Sequence, residues 1–273
     1  MRSLLSSLED QTHQRFVVAI CAQGEFASME ALVGEFASRG LDLRLVSSAR
    51  GAARGRNVAE AALPGTLDVL LFPNDTTVFH PDSLDQINQQ LGEAKAGCVT
   101  VVDRFGDRLR VPARGTRLNR HNVWSIILPA MVVRQSIFRD LGGFDETLGT
   151  GAATPWQSGE ETDFFLRYLL RYGTEGFAWL PEVRIGGLSD AEGLSRLERR
   201  RKLRGYARGY GRILRMHRYG VAWSLRALAA GATFSLRHRG EYQALDGVAV
   251  LVGRLEGLLG LTFARPTEVA VER

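Results

Sequence analysis

The first half of the chain alternates short apolar segments with amphipathic ones, and this order constrains the fold more than any other feature. Strand-like apolar runs occupy residues 16–20, 41–46, 67–72 and 98–102, and helical patterns occupy residues 29–38, 52–63 and 81–96. A β-α-β-α order is typical of a layered sheet, so the sequence predicts an α/β domain.

The second half predicts a loop, two more strands and a helical tail. Residues 123–133 and 177–181 have strand patterns, residues 159–172 a helical pattern, and the glycine-rich residues 141–159 predict a mobile loop beside a site. From Leu194 onward only helical patterns occur, with further helices predicted over residues 221–236 and 242–261. We therefore predict two domains, residues 1–187 and a tail over residues 188–273.

The positive charge of the chain is concentrated in that tail. Residues 190–240 contain 13 basic residues and three acids, a net charge of +10, whereas the whole chain carries +5. A mildly acidic body therefore precedes a basic, arginine-rich, amphipathic tail. Such a tail suits phosphate-rich partners, either an anionic membrane surface or nucleic acid.

Neither secretion nor membrane insertion is indicated. The two cysteines, Cys21 and Cys98, lie in apolar runs, so we expect buried thiols and no disulfide framework. The N-terminal apolar stretch is too short for a signal peptide, and no uncharged run reaches the ~18 residues of a membrane-spanning helix. By elimination we expect a cytoplasmic protein.

Two acidic segments are candidates for chemistry. Asn74 and Asp75 follow a predicted strand, where a carboxylate can hold a divalent cation or a ribose hydroxyl, although the same residues also favour a turn. Residues 158–163 place three carboxylates at a helix start. A general base or a capping box between Ser158 and Glu161 explains that pattern.

A basic segment opens the helix after the second predicted strand. Arginines at 54 and 56 could grip a diphosphate, but a solvated helix start is the simpler interpretation of residues 54–57 taken alone. The five histidines have no zinc-site spacing, and the sequence contains neither a GxSxG elbow nor a phosphate-binding P-loop.

Taken in order, these segments resemble the family 2 glycosyltransferases of the GT-A fold, of the bacterial polysaccharide type. The resemblance covers residues 4–185 and rests mainly on the Gly-Gly-Phe-Asp-Glu run at 142–146, followed by Gly-Glu-Glu-Thr-Asp at 159–163. Residues 4–12, 53–57, 69–75 and 81–84 and Arg167 support it. It implies a GT-A type mixed sheet flanked by helices, followed by the C-terminal helical basic region.

For function, the resemblance implies an inverting transferase that moves a sugar from a nucleotide-sugar donor to a glycan or lipid-linked acceptor. Glu161 takes the place of the catalytic base, and Glu160 and Asp163 would shape the acceptor side. Asp75 takes the place of the family's DxD motif, which holds the donor ribose and a Mg²⁺ or Mn²⁺ ion on the diphosphate. The further donor-binding candidates are Asn74, Arg56 and Asn57.

The chain departs from the family pattern in three places. Thr76 stands where the family commonly has its metal-binding aspartate, and residues 181–187 lack the histidine that many relatives carry. The family's central first strand has no counterpart before the helix that starts near Leu4, in which Leu4, Leu5 and Leu8 are predicted to share one face. An upstream start, a sheet closed over the gap or an open slot would explain this, and we favour the upstream start.

Two other functions are open. A catalytically silent relative that binds glycan, nucleotide or a partner enzyme would explain the three departures. Nucleic-acid binding by the tail is disfavoured because the tail has no zinc-finger or RNP-like signature. We therefore favour an anionic membrane as the partner of the tail, which would hold the protein on the inner face of that membrane.

Overall fold

A computed structural model describes residues 1–24, 26–187, 193–238 and 242–263. The chain forms two compact units. The first, the sheet unit, comprises Met1–Arg50, Arg54–Phe144 and Glu161–Glu192. The second, the helical unit, comprises Gly51–Ala53, Asp145–Glu160 and Gly193–Arg273.

The first part of the chain follows the predicted alternation of strands and helices. The strands are β1 (Val18–Ala22), β2 (Leu43–Ser47), β3 (Val69–Leu71), β4 (Ala96–Asp103), β5 (Gly106–Asp107), β6 (Met131–Arg134) and β7 (Phe177–Gly186). The helices are α1 (Arg2–Glu9), α2 (Phe26–Ala37), α3 (Ala52–Ala61), α4 (Ser83–Leu91), α5 (Gln135–Asp140) and α6 (Glu160–Tyr172).

These strands form two sheets. β1 and β2 pair in parallel, with Val18 opposite Leu43. The larger sheet has the order β3-β6-β4-β5, with β7 also paired to β4. β6 is antiparallel to β3 and β4, whereas β7 is parallel to β4. The predicted mixed sheet with flanking helices is confirmed.

The central strand of the larger sheet is buried along most of its length. Every residue from 96 to 101 of β4 is buried, as expected for a strand covered on both faces. Cys98 lies there, and burial raises the pKa of its thiol. Cys21 differs from our expectation, because it is only half-buried and its thiol donates to Ser48 Oγ at 3.3 Å.

Helix α1 ties the β1–β2 side of the sheet unit to the segment that follows β3. Leu4, Leu5 and Leu8 form its buried face, as predicted. On one side Arg2 Nη2 donates to Glu35 Oε2 of α2 at 2.7 Å. On the other, the buried Gln11 just after α1 accepts from the Leu84 amide of α4 at 3.1 Å.

Two predicted strand boundaries were wrong, and both errors involve proline. Residues 123–130 are not a strand but contain two 3₁₀ turns, Val123–Ser125 and Leu128–Ala130, and only Met131–Arg134 pairs in the sheet. Pro129 lacks the amide that a ladder needs. By contrast, β7 continues past Pro181 because its register with β4 shifts beside that residue, opposite Val99 and Thr100.

In the described part of the chain, four helices of the helical unit follow the sheet unit. They are α7 (Arg196–Met216), α8 (Val221–Ala232), α9 (Phe234–Arg237) and α10 (Ala244–Leu259). Ser195 and Glu198 form a capping box at the start of α7. α7 and α10 approach so closely that a Cβ at Gly211 or Gly257 would lie 2.2 or 2.0 Å from a backbone oxygen of the other helix. None of the helices among the described residues has the length and apolarity to cross a bilayer.

Much of the arginine in α7 pairs with two buried acids of α10. Arg204 and Arg208 donate to the fully buried carboxylate of Glu256, with their closest contacts both at 2.6 Å. Burial would raise the pKa of Glu256, but these two hydrogen bonds and one from the Phe263 amide overcome burial and lower that pKa to about 2. Asp246 is paired in the same way, with Arg199 and Arg200.

Candidate active site

The segment after β3 forms a compact turn around Asn74. The Asn74 amide donates to Thr77 Oγ1 at 3.0 Å, and its side-chain Oδ1 accepts from Arg56 Nη2 of α3 at 3.0 Å. Asp75 is exposed, and its backbone carbonyl accepts from the Met1 ammonium group. The turn that Asn74 and Asp75 also favoured is therefore present, and it leaves the Asp75 side chain at the surface of the sheet unit.

Asn57, next to Arg56 on α3, holds the Gly-Gly-Phe turn that follows α5. Its Nδ2 donates to the Phe144 carbonyl at 2.9 Å, and its Oδ1 accepts from the Phe144 amide at 3.0 Å. Gly143 has a φ of 71°, and a Cβ there would lie 2.8 Å from Asn57 Oδ1. The predicted contact of Asn57 with the donor stays a prediction, since the observed bonds position a turn.

Arg167 fastens the same turn to helix α6. Its Nε donates to Asp163 Oδ2 at 2.8 Å, and its Nη2 donates to the Gly143 carbonyl at 2.8 Å. A third bond goes to the Leu141 carbonyl. The Asp163 side chain is buried, so the guanidinium group of Arg167 both neutralises it and aligns α6 with the turn.

The three carboxylates at the start of α6 have different environments. Asp163 is 3% exposed and bonded to Arg167, and Glu160 is 7% exposed. A Cβ added at Gly149 would lie 2.9 Å from the carboxyl carbon of Glu160. The Glu160 carboxylate therefore packs against the backbone of the glycine-rich segment. Glu161 is half-exposed. Glu161 is therefore the most exposed of the three residues.

The glycine-rich segment before α6 is held by its own hydrogen bonds within the helical unit. Gln157 bridges it, accepting from the Gly151 amide at 2.8 Å and donating to the Ala152 carbonyl at 3.1 Å. Ser158 donates its hydroxyl to the Tyr206 carbonyl of α7 at 2.8 Å. Helix α6 begins at Glu160, two residues after Ser158, and the capping box between Ser158 and Glu161 stays a prediction.

The residues present offer few ligands for a cation. Among the described residues no three His, Cys, Asp or Glu side chains come together as a metal site. Asp75 supplies one carboxylate, and Thr76 follows it. Mg²⁺ in proteins is often held by one or two carboxylates together with substrate phosphates. The segment therefore fits a divalent cation that arrives with a diphosphate, and not one bound by protein side chains alone.

Sequence reasoning missed the residues that join these segments. Arg167 was recognised only as part of a motif, and its three bonds became visible with the fold. Neither the link of Asn57 to the turn nor that of Arg56 to Asn74 could be read from spacing, since their partners lie 87 and 18 residues away.

Comparison with known proteins identifies the fold. No protein-family model and no curated protein matches the sequence. Among solved structures, residues 1–349 of S. aureus TarS match with 13% identity and a TM-score of 0.56, covering 96% of this chain and 88% of that one. TarS has also been crystallised with UDP-GlcNAc.

A second similar structure is the mannosyltransferase PcManGT from Pyrobaculum calidifontis in complex with GDP-Man and Mn²⁺. It is 16% identical with a TM-score of 0.60, and the match covers 94% of this chain and 82% of that chain. At these identities the likeness concerns the fold, and it agrees with the fold expected from the sequence motifs. The chain has the GT-A glycosyltransferase fold.

Proposed function

We propose that this protein is an inverting, nucleotide-sugar-dependent glycosyltransferase with Glu161 as its general base. One observation carries the proposal. In a chain with the GT-A fold, helix α6 begins with three carboxylates, and Glu161 is the one left accessible while Glu160 and Asp163 are buried. A general base must reach the proton that it removes, and this requirement selects Glu161 among the three.

The proposed reaction is a single displacement. An acceptor hydroxyl oxygen attacks the anomeric carbon of the donor sugar, and its proton passes to a carboxylate oxygen of Glu161. The bond between the anomeric carbon and the diphosphate oxygen breaks on the opposite face, and the nucleoside diphosphate leaves with the electron pair. Arg167 and Asp163 keep α6 aligned with the Gly-Gly-Phe turn, and so position Glu161.

The donor diphosphate is expected at the segment after β3. Asp75 would contact the ribose or a Mg²⁺ or Mn²⁺ ion, and Arg56 and Asn74 would line the diphosphate side. A divalent cation bound there would offset the charge on the departing diphosphate. PcManGT is described with GDP-Man and Mn²⁺ and TarS with UDP-GlcNAc, so GDP- and UDP-sugars are the donors to test. We propose a glycan or lipid-linked acceptor and a cytoplasmic site of action.

The second candidate function is a silent relative that binds nucleotide or glycan without transfer. The single carboxylate at Asp75, followed by Thr76, favours it, because the site then depends on the donor for most ligands of a cation. A silent binder would bind donor but leave it intact.

The two candidates are separated by measuring donor turnover and donor binding on the same preparations. UDP-GlcNAc and GDP-mannose are incubated with the protein and Mn²⁺, and the release of nucleoside diphosphate is followed. We expect Glu161→Gln to lower turnover by about 10²–10⁴-fold with little change in donor affinity, because a general base contributes on that order. Glu182→Gln, an exposed glutamate on β7, is the matched control. Undiminished turnover in Glu161→Gln would refute the assignment, and donor binding without any turnover by the unaltered protein would favour the silent relative.

A further inference from the structure

Helix α8 leaves an apolar face uncovered in the helical unit. Val221 is 76% exposed and Leu225, one turn later, is 60% exposed. Ala222, Ala229 and Ala232 are exposed on the same helix, and Arg226 is its only charged residue. Exposed apolar residues also occur on the neighbouring helices, at Leu236, Leu245, Val248 and Leu259. Large exposed apolar side chains that follow one another along packed helices mark a surface that meets a partner.

The exposed charge around this face has one sign. Among the described residues of α8, α9 and α10 the acids are Asp246 and Glu256, and both side chains are fully buried and bonded to arginines of α7. Arg226 and Arg237 are exposed. The partner of this face therefore meets cations and no carboxylates of these helices.

Arg254 of α10 contacts both α7 and α8. The guanidinium group of Arg254 stacks on the Tyr210 ring, 4.4 Å from its centroid, and its Nη1 donates to the Ala227 carbonyl. Its Nε is buried and makes no hydrogen bond. Burial lowers the pKa of Arg254, and the like charge of nearby Arg237 lowers it further. Burial raises the pKa of Tyr210, against the charges of Arg254 and Arg226. The exposed Arg226 and Arg237, and not the buried Nε of Arg254, are therefore the donors that phosphate oxygens can reach on this face.

We propose that the exposed face of helices α8 to α10 docks on an anionic phospholipid membrane. This α8–α10 face is defined by its apolar residues and two arginines: Val221, Leu225, Leu236, Leu245, Val248, Leu259, Arg226 and Arg237. Such a surface offers phosphate groups beside a broad apolar layer, which matches both properties of the face. Amphipathic helices bind in this way, with the apolar side entering the headgroup boundary and basic residues attracted to anionic lipid. The proposal is independent of the transfer reaction, since no residue of the face is assigned to catalysis.

The test is co-sedimentation of the full chain with vesicles of phosphatidylcholine alone or mixed with phosphatidylglycerol. We expect binding to the mixed vesicles that falls with added salt. Arg226→Gln/Arg237→Gln should weaken it about 30-fold, since each basic residue near an anionic surface contributes about 1 kcal/mol. Arg196→Gln/Arg201→Gln removes the same charge from exposed positions of α7 and should bind nearly as the unaltered chain.

The apolar part of the face is tested with Leu225→Ser/Val248→Ser. We expect this variant to bind the mixed vesicles at least tenfold more weakly, because burying one leucine side chain contributes that much to binding. Leu170→Ser on α6, 83% exposed, is its control. All these positions are exposed, so the melting temperatures of the variants should hardly change. Where a variant melts at a lower temperature, a second variant with alanine at the same positions is tested in its place. Equal binding to both vesicle types, no binding to either, or equal losses in the two arginine pairs would overturn the proposal. Self-association of the chain is measured by sedimentation velocity. If the chain self-associates and Leu225→Ser/Val248→Ser abolishes this, the face binds a second copy of the chain, and the membrane proposal is overturned.

Discussion

Replacing Glu256 by glutamine should destabilise the α7–α10 pair more than any surface change of the same charge. The carboxylate is fully buried and accepts from Arg204 Nη2 at 2.6 Å, from Arg208 Nε at 2.6 Å and from the Phe263 amide at 2.7 Å. Glutamine keeps the shape but removes the charge and turns an NH₂ group toward arginine donors. Two largely buried guanidinium groups would then lack their counter-ion.

The magnitude follows from the pKa of the carboxyl group. Burial acts to raise it, yet the bonds from Arg204, Arg208 and Phe263 lower it from an ordinary 4.5 to about 2. At 1.36 kcal/mol per pKa unit this corresponds to roughly 3 kcal/mol, within the 3–5 kcal/mol expected for breaking a buried ion pair. A lowered pKa stabilises the fold above pH 4.5, and this contribution is lost as the pH falls from 4.5 toward 2.

Hydrogen exchange read by mass spectrometry reports this locally. At neutral pH we expect amides of α10 to exchange at least a hundredfold faster in Glu256→Gln, the equivalent of about 3 kcal/mol. Glu198→Gln removes the same charge from the capping box of α7, but glutamine also fills the N3 position of such a box, so this variant should accelerate exchange by less than about fivefold. The difference between the unaltered chain and Glu256→Gln should shrink as the pH falls from 4.5 toward 2.

A third variant isolates the cause. Replacing Glu256, Arg204 and Arg208 together by methionine removes all three charges, and such replacements are often neutral or stabilising. We therefore expect the triple variant to exchange more slowly than Glu256→Gln. Equal protection in the unaltered chain and Glu256→Gln at neutral pH would refute the reasoning, as would a triple variant less protected than the single one.

Three further predictions concern the sheet unit. Gln11→Leu should lower the free energy of unfolding by about 1–3 kcal/mol in urea titrations, because the Leu84 amide in the first turn of α4 loses its acceptor. Arg167→Met leaves the buried Asp163 without its cation, so kcat should fall while the donor Kd stays nearly constant; an unchanged kcat would contradict the positioning role. Asp75→Asn should weaken donor binding in calorimetry with Mn²⁺ present, and Mn²⁺ alone should show no binding to the unaltered chain, since one carboxylate makes a poor cation site.

Periodicity predicted the order of the elements, and it did so most directly where an apolar run is also buried. The run at 98–102 lies inside β4, and the spacing of Leu4, Leu5 and Leu8 gave the buried face of α1. Residues 123–130 failed for the same reason. Val123 and Leu128 are buried, but in 3₁₀ turns rather than in a strand, since apolar composition reports burial and not backbone conformation.

The sequence shows how many arginines the tail contains, but only part of them are exposed and available to a partner. Arg204 and Arg208 lie off the apolar stripe of α7, a position typical of solvent-facing residues, yet both bond to Glu256, about fifty residues later. Pairings at such separations depend on which helices pack together, and no local pattern encodes that choice. The same holds at the site, where spacing presented three equivalent carboxylates and only packing distinguished Glu161 from its neighbours.

The start of α3 shows how a short motif can serve several segments at once. Taken alone, residues 54–57 suggested a solvated helix start, but each of three consecutive residues meets a different part of the sheet unit. A Cβ at Gly55 would lie 2.7 Å from Gln23 Nε2, just after β1, while Arg56 bonds to Asn74 after β3 and Asn57 bonds to the Gly-Gly-Phe turn. Successive residues of a helix point about 100° apart, so three neighbours can reach three directions. Two of these partners follow the carboxyl ends of strands, where ligands bind in open α/β sheets. A displacement of α3 would therefore disturb the segment after β3 and the Gly-Gly-Phe turn together, which is a physical reason for an Arg-Gly-Arg-Asn sequence at this place.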